Sequence, residues 1–285
     1  MSRIGAERFD EAVQLLRSAG IELLDARAVK DPSRIKPEVK EAVDRAPMVI
    51  VGGGDGTLSN TIDYFKDHDT VFGLLPLGTA NSFARALGIP LDLPGAVDVV
   101  ANGERRRIDL GCVNGDYFGN SAAIGLSPMI AKTVPHKLKR YLGRAGYALW
   151  AARVAVGFRP FRLTVDDGCS RSIVWASEVR IANGGFFGGV EMVDSADLAS
   201  GEIIVQIVTG KNNRNLASSW FGNMLRLRNR DRWQAEIHAR QLKIETEPVM
   251  DVTIDGELAG KTPISVSVAP KAVEIAAPRE RQQSA

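Results

Sequence analysis

The feature that most constrains the fold is an apolar run that ends in a cluster of glycines. Residues 48–51 are apolar throughout, which is typical of a parallel strand buried on both faces. Three glycines, one acid and a fourth glycine follow at residues 52–56, and helical spacing begins at Thr57. A strand, a Gly-rich turn and a helix start together present backbone N–H groups and a favourable helix dipole to a negative charge. The sequence therefore predicts an anion-binding site in an α/β domain.

Asp55 narrows the kind of anion that this loop can bind. A carboxylate within a phosphate-binding loop repels phosphate unless a divalent cation lies between them, so we expect a metal–nucleotide ligand. A Walker loop needs Lys and then Ser or Thr after its last glycine, whereas Gly56 is followed by Thr57 and Leu58. A Rossmann fingerprint needs a glycine where Thr57 stands. A turn that binds nothing is disfavoured, because consecutive glycines cost conformational entropy.

A second strand–turn–helix opening lies at residues 75–81, with the sequence Leu-Pro-Leu-Gly-Thr-Ala-Asn. Gly78 permits a close approach of the backbone, while Thr79 and Asn81 offer hydrogen bonds to a phosphate or to a helical amide. On spacing alone, an ordinary helix N-cap explains Thr and Asn equally well. Together with the first loop, the segment favours a nucleotide contact.

The two motifs, at residues 52–57 and 75–85, together resemble the diacylglycerol kinase catalytic family. Its bacterial soluble lipid kinases look closest, and sphingosine and ceramide kinases are relatives. The resemblance extends over nearly the whole chain. It implies an ATP-dependent lipid kinase that transfers the γ-phosphate to a hydroxyl of diacylglycerol or a related lipid, with ATP and Mg²⁺ as cofactors. The residues that would contact ATP by this resemblance are Gly52, Gly53, Gly54, Asp55, Gly56, Thr57, Leu58, Ser59, Gly78, Thr79 and Asn81.

The chain as a whole predicts an α/β plus β fold. Strand and helix signals alternate over residues 1–103, which predicts an N-terminal three-layer α/β domain with a parallel sheet. Short strands and turns dominate residues 104–277 and predict a C-terminal antiparallel β-sandwich domain, which would bind the lipid. Residues 278–285 are polar, and we expect a disordered tail.

Local patterns predict the individual elements. Helical spacing and capping signals predict helices at residues 6–19, 38–45, 81–87, 127–134, 138–156 and 212–228. Apolar runs predict strands at residues 21–25, 48–51 and 71–75. The dipeptide Asn114-Gly115 and the tripeptide at residues 166–168, Asp-Asp-Gly, predict hairpin turns.

The tripeptide Asp255-Gly256-Glu257 follows an alternating strand-like segment near the end of the chain. From the residues alone, Asp-Gly is a favoured hairpin turn and Glu257 is a solvated strand residue. The resemblance points to catalysis instead, since the family's catalytic region ends with this Asp-Gly-Glu. Asp255 would then be the base that accepts the proton of the lipid hydroxyl, and Glu257 would orient it.

The resemblance also implies metal ligands. Asp55 and Asp109 would hold the Mg²⁺ that accompanies ATP, Asp109 through water, although a carboxylate that caps a turn explains Asp109 about as well. The family usually has Leu-Asp-Asp-Gly at a structural Mg²⁺ site, where this chain has Asp197, Ser200 and Glu202. Ser200 replaces the key acid there, and the other two residues could partly compensate.

The chain departs from the family pattern in ways that leave alternatives open. The family opens with a strand and an Asn-Pro-x-Ser-Gly loop, and residues 1–5 resemble only the end of that loop, so we expect the first strand to be missing. Ser82 stands where the family often has Asp. One alternative function is an NAD kinase-like enzyme, which shares the Gly-Gly-Asp-Gly loop. The other is a catalytically impaired homologue that binds nucleotide or lipid.

Composition excludes several classes of protein. Lys and Arg total 36 against 34 acids, and a net charge of +2 gives no argument for nucleic-acid binding. The two cysteines make no disulfide framework and lack the spacing of a metal site. The sequence shows no signal peptide and no transmembrane segment, so we expect a cytoplasmic protein.

Any contact with a membrane is expected to be peripheral. Residues 136–144 and 220–233 combine basic and aromatic side chains, which suits anionic headgroups. A solvated face over a packed core explains the second stretch equally well and the first stretch better. The predicted partner is a lipid substrate at a membrane surface, and a homodimer is one open option for assembly.

Overall fold

The computed structural model describes residues 3–135, 150, 153–210 and 234–279. The predicted helix at 212–228, both basic stretches and nearly all of the predicted tail lie outside these ranges. The α-helices whose bounds the structure describes are α1 Arg3–Ser18, α2 Ile35–Val43, α3 Asp55–Ile62, α4 Ser82–Ala86, α5 Leu93–Asn102 and α6 Leu126–Thr133, and residues 153–157 are also helical. The strands are β1 Met48–Gly53, β2 Val71–Pro76, β3 Glu104–Val113, β4 Asp116–Phe118, β5 Ser121–Gly125, β6 Phe161–Asp166, β7 Arg171–Ala182, β8 Phe186–Phe187, β9 Val190–Glu191, β10 Ile203–Thr209, β11 Gln234–Ala239, β12 Gln241–Glu247, β13 Asp251–Ile254, β14 Glu257–Lys261 and β15 Ile264–Ala277.

The N-terminal part is an α/β unit built on parallel strands. β1 pairs with β2 in parallel from Met48 opposite Val71 to Gly53 opposite Pro76. Helices α2 and α3 pack on each other and on β1, while α1 packs on α5 and α5 packs on β2. β2 is almost wholly buried, as expected for a parallel strand covered on both faces. The predicted α/β class of this half is confirmed.

The C-terminal part is antiparallel. In the described residues, the order of the main sheet is β1-β2-β15-β12-β6-β7-β5-β13-β14, and β10, β11, β3 and β4 branch from it. The strands of this half curl around a second apolar core whose members include Ile124, Phe161 and Val205. The short strands β8 and β9 form a separate hairpin. The predicted antiparallel β-sandwich is confirmed.

Strand β15 connects the two halves. Its first part pairs with β12, and beyond an irregularity between Ala269 and Val273 its last part continues alongside β3. Ile275 then pairs with Phe72 in parallel, so the strand also extends the N-terminal sheet. Val273 and Ile275 are fully buried in the core of the N-terminal part. The proposed boundary between residues 103 and 104 therefore separates two halves that share this strand.

Local predictions fared differently. The helix predicted at residues 6–19 is α1, and the predicted hairpin turn has Asn114 and Gly115 at φ of 51° and 98°, as its type requires. The strand predicted at residues 21–25 is wrong, because the segment is irregular. Ile21 and Leu23 pack on the core as the alternation suggested, but the segment has no place in the strand pairing of the sheet. Within the described residues, no helix is both long and apolar enough to cross a membrane.

Candidate functional site

The Gly-rich loop joins β1 directly to α3. β1 ends at Gly53, and α3 begins at Asp55 after the extended Gly54. A Cβ atom at Gly53 would lie 2.6 Å from Thr57 Cβ, far inside van der Waals contact. Glycine is therefore required where the first turn of α3 folds back over the strand end. The start of α3 therefore lies at the end of β1, in the strand–turn–helix arrangement that the sequence predicted.

The two predicted nucleotide loops touch each other through their glycines. A Cβ at Gly78 would lie 2.5 Å from Gly54 Cα, so the backbones are in contact. The amide of Leu77 donates a hydrogen bond of 2.9 Å to the carbonyl of Gly53, which continues the pairing of the two strands into the loops. The structure thus brings residues 52–59 and 78–81 together at one edge of the sheet.

Asn81 shapes the second loop from within. It is buried, with a left-handed φ of 48°, and its Oδ1 accepts a hydrogen bond of 3.0 Å from the Gly78 amide. Its Nδ2 donates to the carbonyls of Pro76 and Gly78. The Asn81 carboxamide therefore supports the turn, whereas Thr79 is exposed at its surface. A direct contact of Asn81 with a nucleotide remains a prediction.

Asp55 links the first loop to α4. Its Oδ1 accepts a hydrogen bond of 3.2 Å from the amide of Phe83, in the first turn of α4. Ser82, where the resemblance implies an acid, accepts a hydrogen bond of 3.0 Å through Oγ from the amide of Gly189. In this chain Ser82 thus links the start of α4 to the loop between β8 and β9.

Asp255 occupies the turn of the β13–β14 hairpin, as the residues alone suggested, yet the residue is half-buried and its carboxyl group is largely withdrawn from water. Its φ is 46°, and its Oδ1 accepts a hydrogen bond of 2.8 Å from the Ser121 amide. Burial raises the pKa of Asp255 to about 7; hydrogen bonds from Ser121, Ser59 and Asn120 oppose this rise and the charge of Asp55 adds to it. A carboxyl group with this pKa can exchange a proton near neutral pH.

A small cleft is lined by residues from both the N-terminal and the C-terminal half of the chain. Its lining consists of Asp55, Leu58, Ser59, Ile62, Phe83, Gly119, Asn120 and Asp255. Four of the predicted site residues, Asp55, Leu58, Ser59 and Asp255, therefore meet here although about 200 residues separate the first from the last. Asn120 was missed by the sequence reasoning, because a buried amide at a strand start has no motif of its own.

A larger cleft of about 430 Å³ lies beside the first one. Its lining consists of Pro32, Ser33, Ile35, Lys36, Gly54, Gly56, Thr57, Asn60 and Glu257. Asn60 donates hydrogen bonds through Nδ2 to Glu257 Oε2 at 3.2 Å and to the Gly56 carbonyl at 2.8 Å. Glu257 is thereby held against the start of α3. The residues from α2 and the turn before it were missed, since nothing in their sequence distinguishes them from an ordinary surface helix.

The remaining predicted metal ligands lie elsewhere. Asp109 is buried, and its two carboxylate oxygens accept hydrogen bonds from the amides of Gly201 and Lys271 at 2.6 and 2.7 Å. Asp109 thus links the backbone segments that contain Gly201 and Lys271. Its contact with ATP–Mg²⁺ through water remains a prediction.

The segment at residues 197–202 does not fit a resident metal ion. The Ser200 hydroxyl is hydrogen-bonded to the carbonyls of Asp197 and Glu202, which closes the loop without an ion. The carboxylate of Glu202 lies 3.7 Å from His238 Nδ1. Among the residues that the structure describes, no cluster of three or more His, Cys, Asp or Glu side chains is suited to hold a metal. We therefore assign no step to a structural ion.

Comparison with known proteins gives consistent results in sequence and structure. The family model of the diacylglycerol kinase catalytic domain matches residues 2–113, and that of the YegS C-terminal NAD kinase beta sandwich-like domain matches residues 120–277. A diacylglycerol kinase of Bacillus subtilis is 31% identical over 254 residues, which cover 86% of this chain and 82% of the relative. A probable lipid kinase, YegS-like, of Shewanella frigidimarina is 32% identical over 55% of this chain and 53% of its own.

Solved structures share the fold. A putative diacylglycerol kinase from Bacillus anthracis superposes with a TM-score of 0.82 at 21% identity and covers 95% of this chain and 92% of its own. A yeast NADH kinase in complex with NADH superposes with a TM-score of 0.50 at 14% identity, over 96% of this chain and 81% of its own. At these identities the likeness concerns the fold alone.

Proposed function

The chain belongs to the diacylglycerol kinase catalytic family, and on this basis we propose that it is an ATP-dependent lipid kinase. It would transfer the γ-phosphate of ATP to a hydroxyl group of diacylglycerol or a related lipid. The observation that carries the proposal is the meeting of Asp55, Ser59 and Asp255 in one cleft, where Asp255 has a pKa of about 7. This meeting supports the proposal, because a carboxyl group able to accept a proton would lie beside a loop that suits a metal–nucleotide.

The nucleotide would lie along the start of α3. Residues 53–59 and the touching loop at residues 78–79 would cradle its phosphates with backbone N–H groups. Asp55 suits the Mg²⁺ that accompanies the nucleotide as part of the substrate, because Mg²⁺ is usually held by one or two carboxylates together with substrate phosphates. This Mg²⁺ would lie between Asp55 and the phosphates and would offset the repulsion between their negative charges.

Asp255 would act on the acceptor hydroxyl. In the proposed step the hydroxyl oxygen forms a bond to the γ-phosphorus, the bond from that phosphorus to the β–γ bridging oxygen breaks, and ADP leaves. The hydroxyl proton passes to Asp255, which must be ionised beforehand. Glu257, held by Asn60 against the start of α3, would orient the reacting groups. Because phosphoryl transfer has a loose transition state, this positioning matters more than the strength of the base.

The surroundings of the hairpin suit a lipid acceptor. Leu258 follows Glu257 in the chain and has 53% of its surface exposed, and Met129 on the contacting helix α6 is 43% exposed. One of these exposed apolar side chains lies on the hairpin that carries the proposed base and the other on the helix that contacts this hairpin, so together they would give an acyl chain a surface to lie on. We infer that the enzyme works at the cytoplasmic face of a membrane, to which it binds peripherally.

Incubation with labelled ATP and Mg²⁺ would test the proposal. Mixed vesicles should contain diacylglycerol, phosphatidylglycerol or a sphingoid base in separate reactions, and NAD⁺ should replace lipid in a parallel reaction. We expect label in lipid, none in NADP⁺, and a loss of turnover of about 10²-fold or more in Asp255→Asn. Label in NADP⁺ alone would establish the NAD kinase-like alternative. Binding of ATP without turnover on any of these acceptors would instead indicate a catalytically impaired homologue.

A further inference from the structure

Lys36 lies in the larger cleft, opposite the Gly-rich loop. It is the second residue of α2, and it shares the cleft with Gly54, Gly56 and Thr57 of the facing loop and helix. The cleft of about 430 Å³ is large enough for a substantial part of a nucleotide. The Gly-rich loop with the start of α3 thus lines one side of the cleft, and α2 contributes the primary amine of Lys36.

The charge balance of this cleft requires a cation. Glu257 lines it and Asp55 stands at the start of α3, so the protein brings two acidic side chains to the site that would bind an anionic nucleotide. Among the described residues that line the cleft, Lys36 is the sole basic side chain. Mg²⁺ bound with the nucleotide offsets part of the negative charge, and a lysine across the cleft would offset more of it.

Lys36 is not held in an ion pair by the residues that the structure describes. Two other basic residues at α2, Arg34 and Arg45, form ion pairs with Glu38 and Glu41, whereas Lys36 forms none with the residues that the structure describes. Burial raises the pKa of Asp63 to about 6, and Lys36 opposes this rise from beyond ion-pair distance. A cation in the first turn of a helix also lies against the helix dipole, so helix stability does not explain its position.

We propose that Lys36 is a phosphate-binding residue of the nucleotide site, acting from α2 on the polyphosphate chain that the Gly-rich loop holds from the other side. The inference rests on the proposed function, since it assumes that the cleft binds a nucleotide. Lysine suits this role because its ammonium is a compact charge on a flexible stem that can follow a phosphate group. Because Lys36 is exposed, its ammonium can turn toward a bound anion.

Calorimetric titration with Mg²⁺ and ATP would test the inference on the whole protein. Lys36→Met should raise the Kd for ATP about tenfold, as loss of one charge-assisted contact in a solvent-accessible cleft predicts. Lys40→Met is the matched control, because it removes the same charge from an exposed position one turn along the same helix and outside the cleft lining. It should leave the Kd unchanged, and Lys36→Arg should restore most of the affinity.

The dependence on phosphate number separates a direct contact from a general field effect. The ratio of Kd values between Lys36→Met and wild type should be large for ATP, smaller for ADP and near one for AMP. Added KCl should weaken ATP binding more steeply in wild type than in Lys36→Met, because screening acts on a charge that the variant lacks. Equal Kd values for wild type, Lys36→Met and Lys40→Met would overturn the inference and leave the kinase proposal standing.

Inorganic tripolyphosphate serves as a second probe that does not depend on the kinase proposal. If wild type fails to bind ATP, the proposed function and the nucleotide site fail together, and tripolyphosphate binding still decides whether Lys36 contacts a polyphosphate. Binding that weakens about tenfold in Lys36→Met, and stays unchanged in Lys40→Met, would support an anion contact. Absence of tripolyphosphate binding by wild type, or binding equal in both variants, would refute it.

Discussion

Replacing Asp255 with Asn should change how the stability of the protein depends on pH. Asn suits this position, because the residue has a left-handed φ of 46° that Asn adopts more easily than most residues. The Asn oxygen can still accept the hydrogen bond from the Ser121 amide. The substitution therefore removes the titratable group while it keeps the shape of the turn.

The expected magnitude follows from the environment of the carboxyl group. Burial raises the pKa of Asp255 from 3.8 to about 7. Between these values the native protein retains a proton that the unfolded chain has released, so the free energy of unfolding falls as the pH rises through this window. The full change amounts to about 4 kcal/mol, present once the pH exceeds the native pKa. Below pH 3.8 the carboxyl is protonated in both states, and the contribution vanishes.

Urea unfolding of wild type and Asp255→Asn, from about pH 4 to about pH 8, would measure this effect. The difference between the two proteins cancels the titration of other groups, and the variant should gain about 4 kcal/mol relative to wild type over this range. Leu258→Ala, a non-titratable change at an exposed position of the same hairpin, is the control, and its difference from wild type should stay constant with pH. A difference between wild type and Asp255→Asn that stays constant with pH would show that the carboxyl is not held protonated by burial.

Three further predictions concern the loops around the site. Gly78→Ala would place a Cβ 2.5 Å from Gly54 Cα, so we expect the free energy of unfolding in urea to fall by roughly 1–3 kcal/mol and ATP binding to weaken. Gly157→Ala is the control: a Cβ there has no atom within 4 Å, and neither quantity should change. Asp109→Ala leaves two backbone amides without their acceptor and should cost about 3 kcal/mol in urea unfolding. Because the Ser200 hydroxyl closes its own loop, EDTA should leave the melting temperature of the nucleotide-free protein unchanged, and a drop of several degrees would reveal a structural ion.

The parts of the fold that were predictable are those that local chemistry determines. A Gly-rich turn between an apolar strand and a helix requires the backbone that residues 52–57 adopt, and Asn114-Gly115 requires a tight hairpin. The strand predicted at residues 21–25 failed because alternation reports only which side chains face the core. Whether a segment pairs with a neighbouring strand depends on partners that its own sequence does not encode.

The candidate site shows the same division. Asp55 and Asp255 were predicted through motifs, and the structure brings them to one cleft. Asp255 occupies a hairpin turn, as the residues alone suggested, and its raised pKa is compatible with the catalytic role that the resemblance implies. Lys36 and Asn120 could not be predicted, because their importance arises from the tertiary contacts of an ordinary helix start and an ordinary strand start.

The path of β15 bears on how the protein is made. Val273 and Ile275 are buried in the N-terminal core, and Ile275 adds to the sheet that carries the Gly-rich loop. During synthesis the N-terminal half therefore stays incompletely folded, with part of its apolar core exposed, until Val273 and Ile275 leave the ribosome. Expression of residues 1–103 alone should accordingly yield an aggregation-prone fragment, and the two halves would have to mature together instead of one after the other.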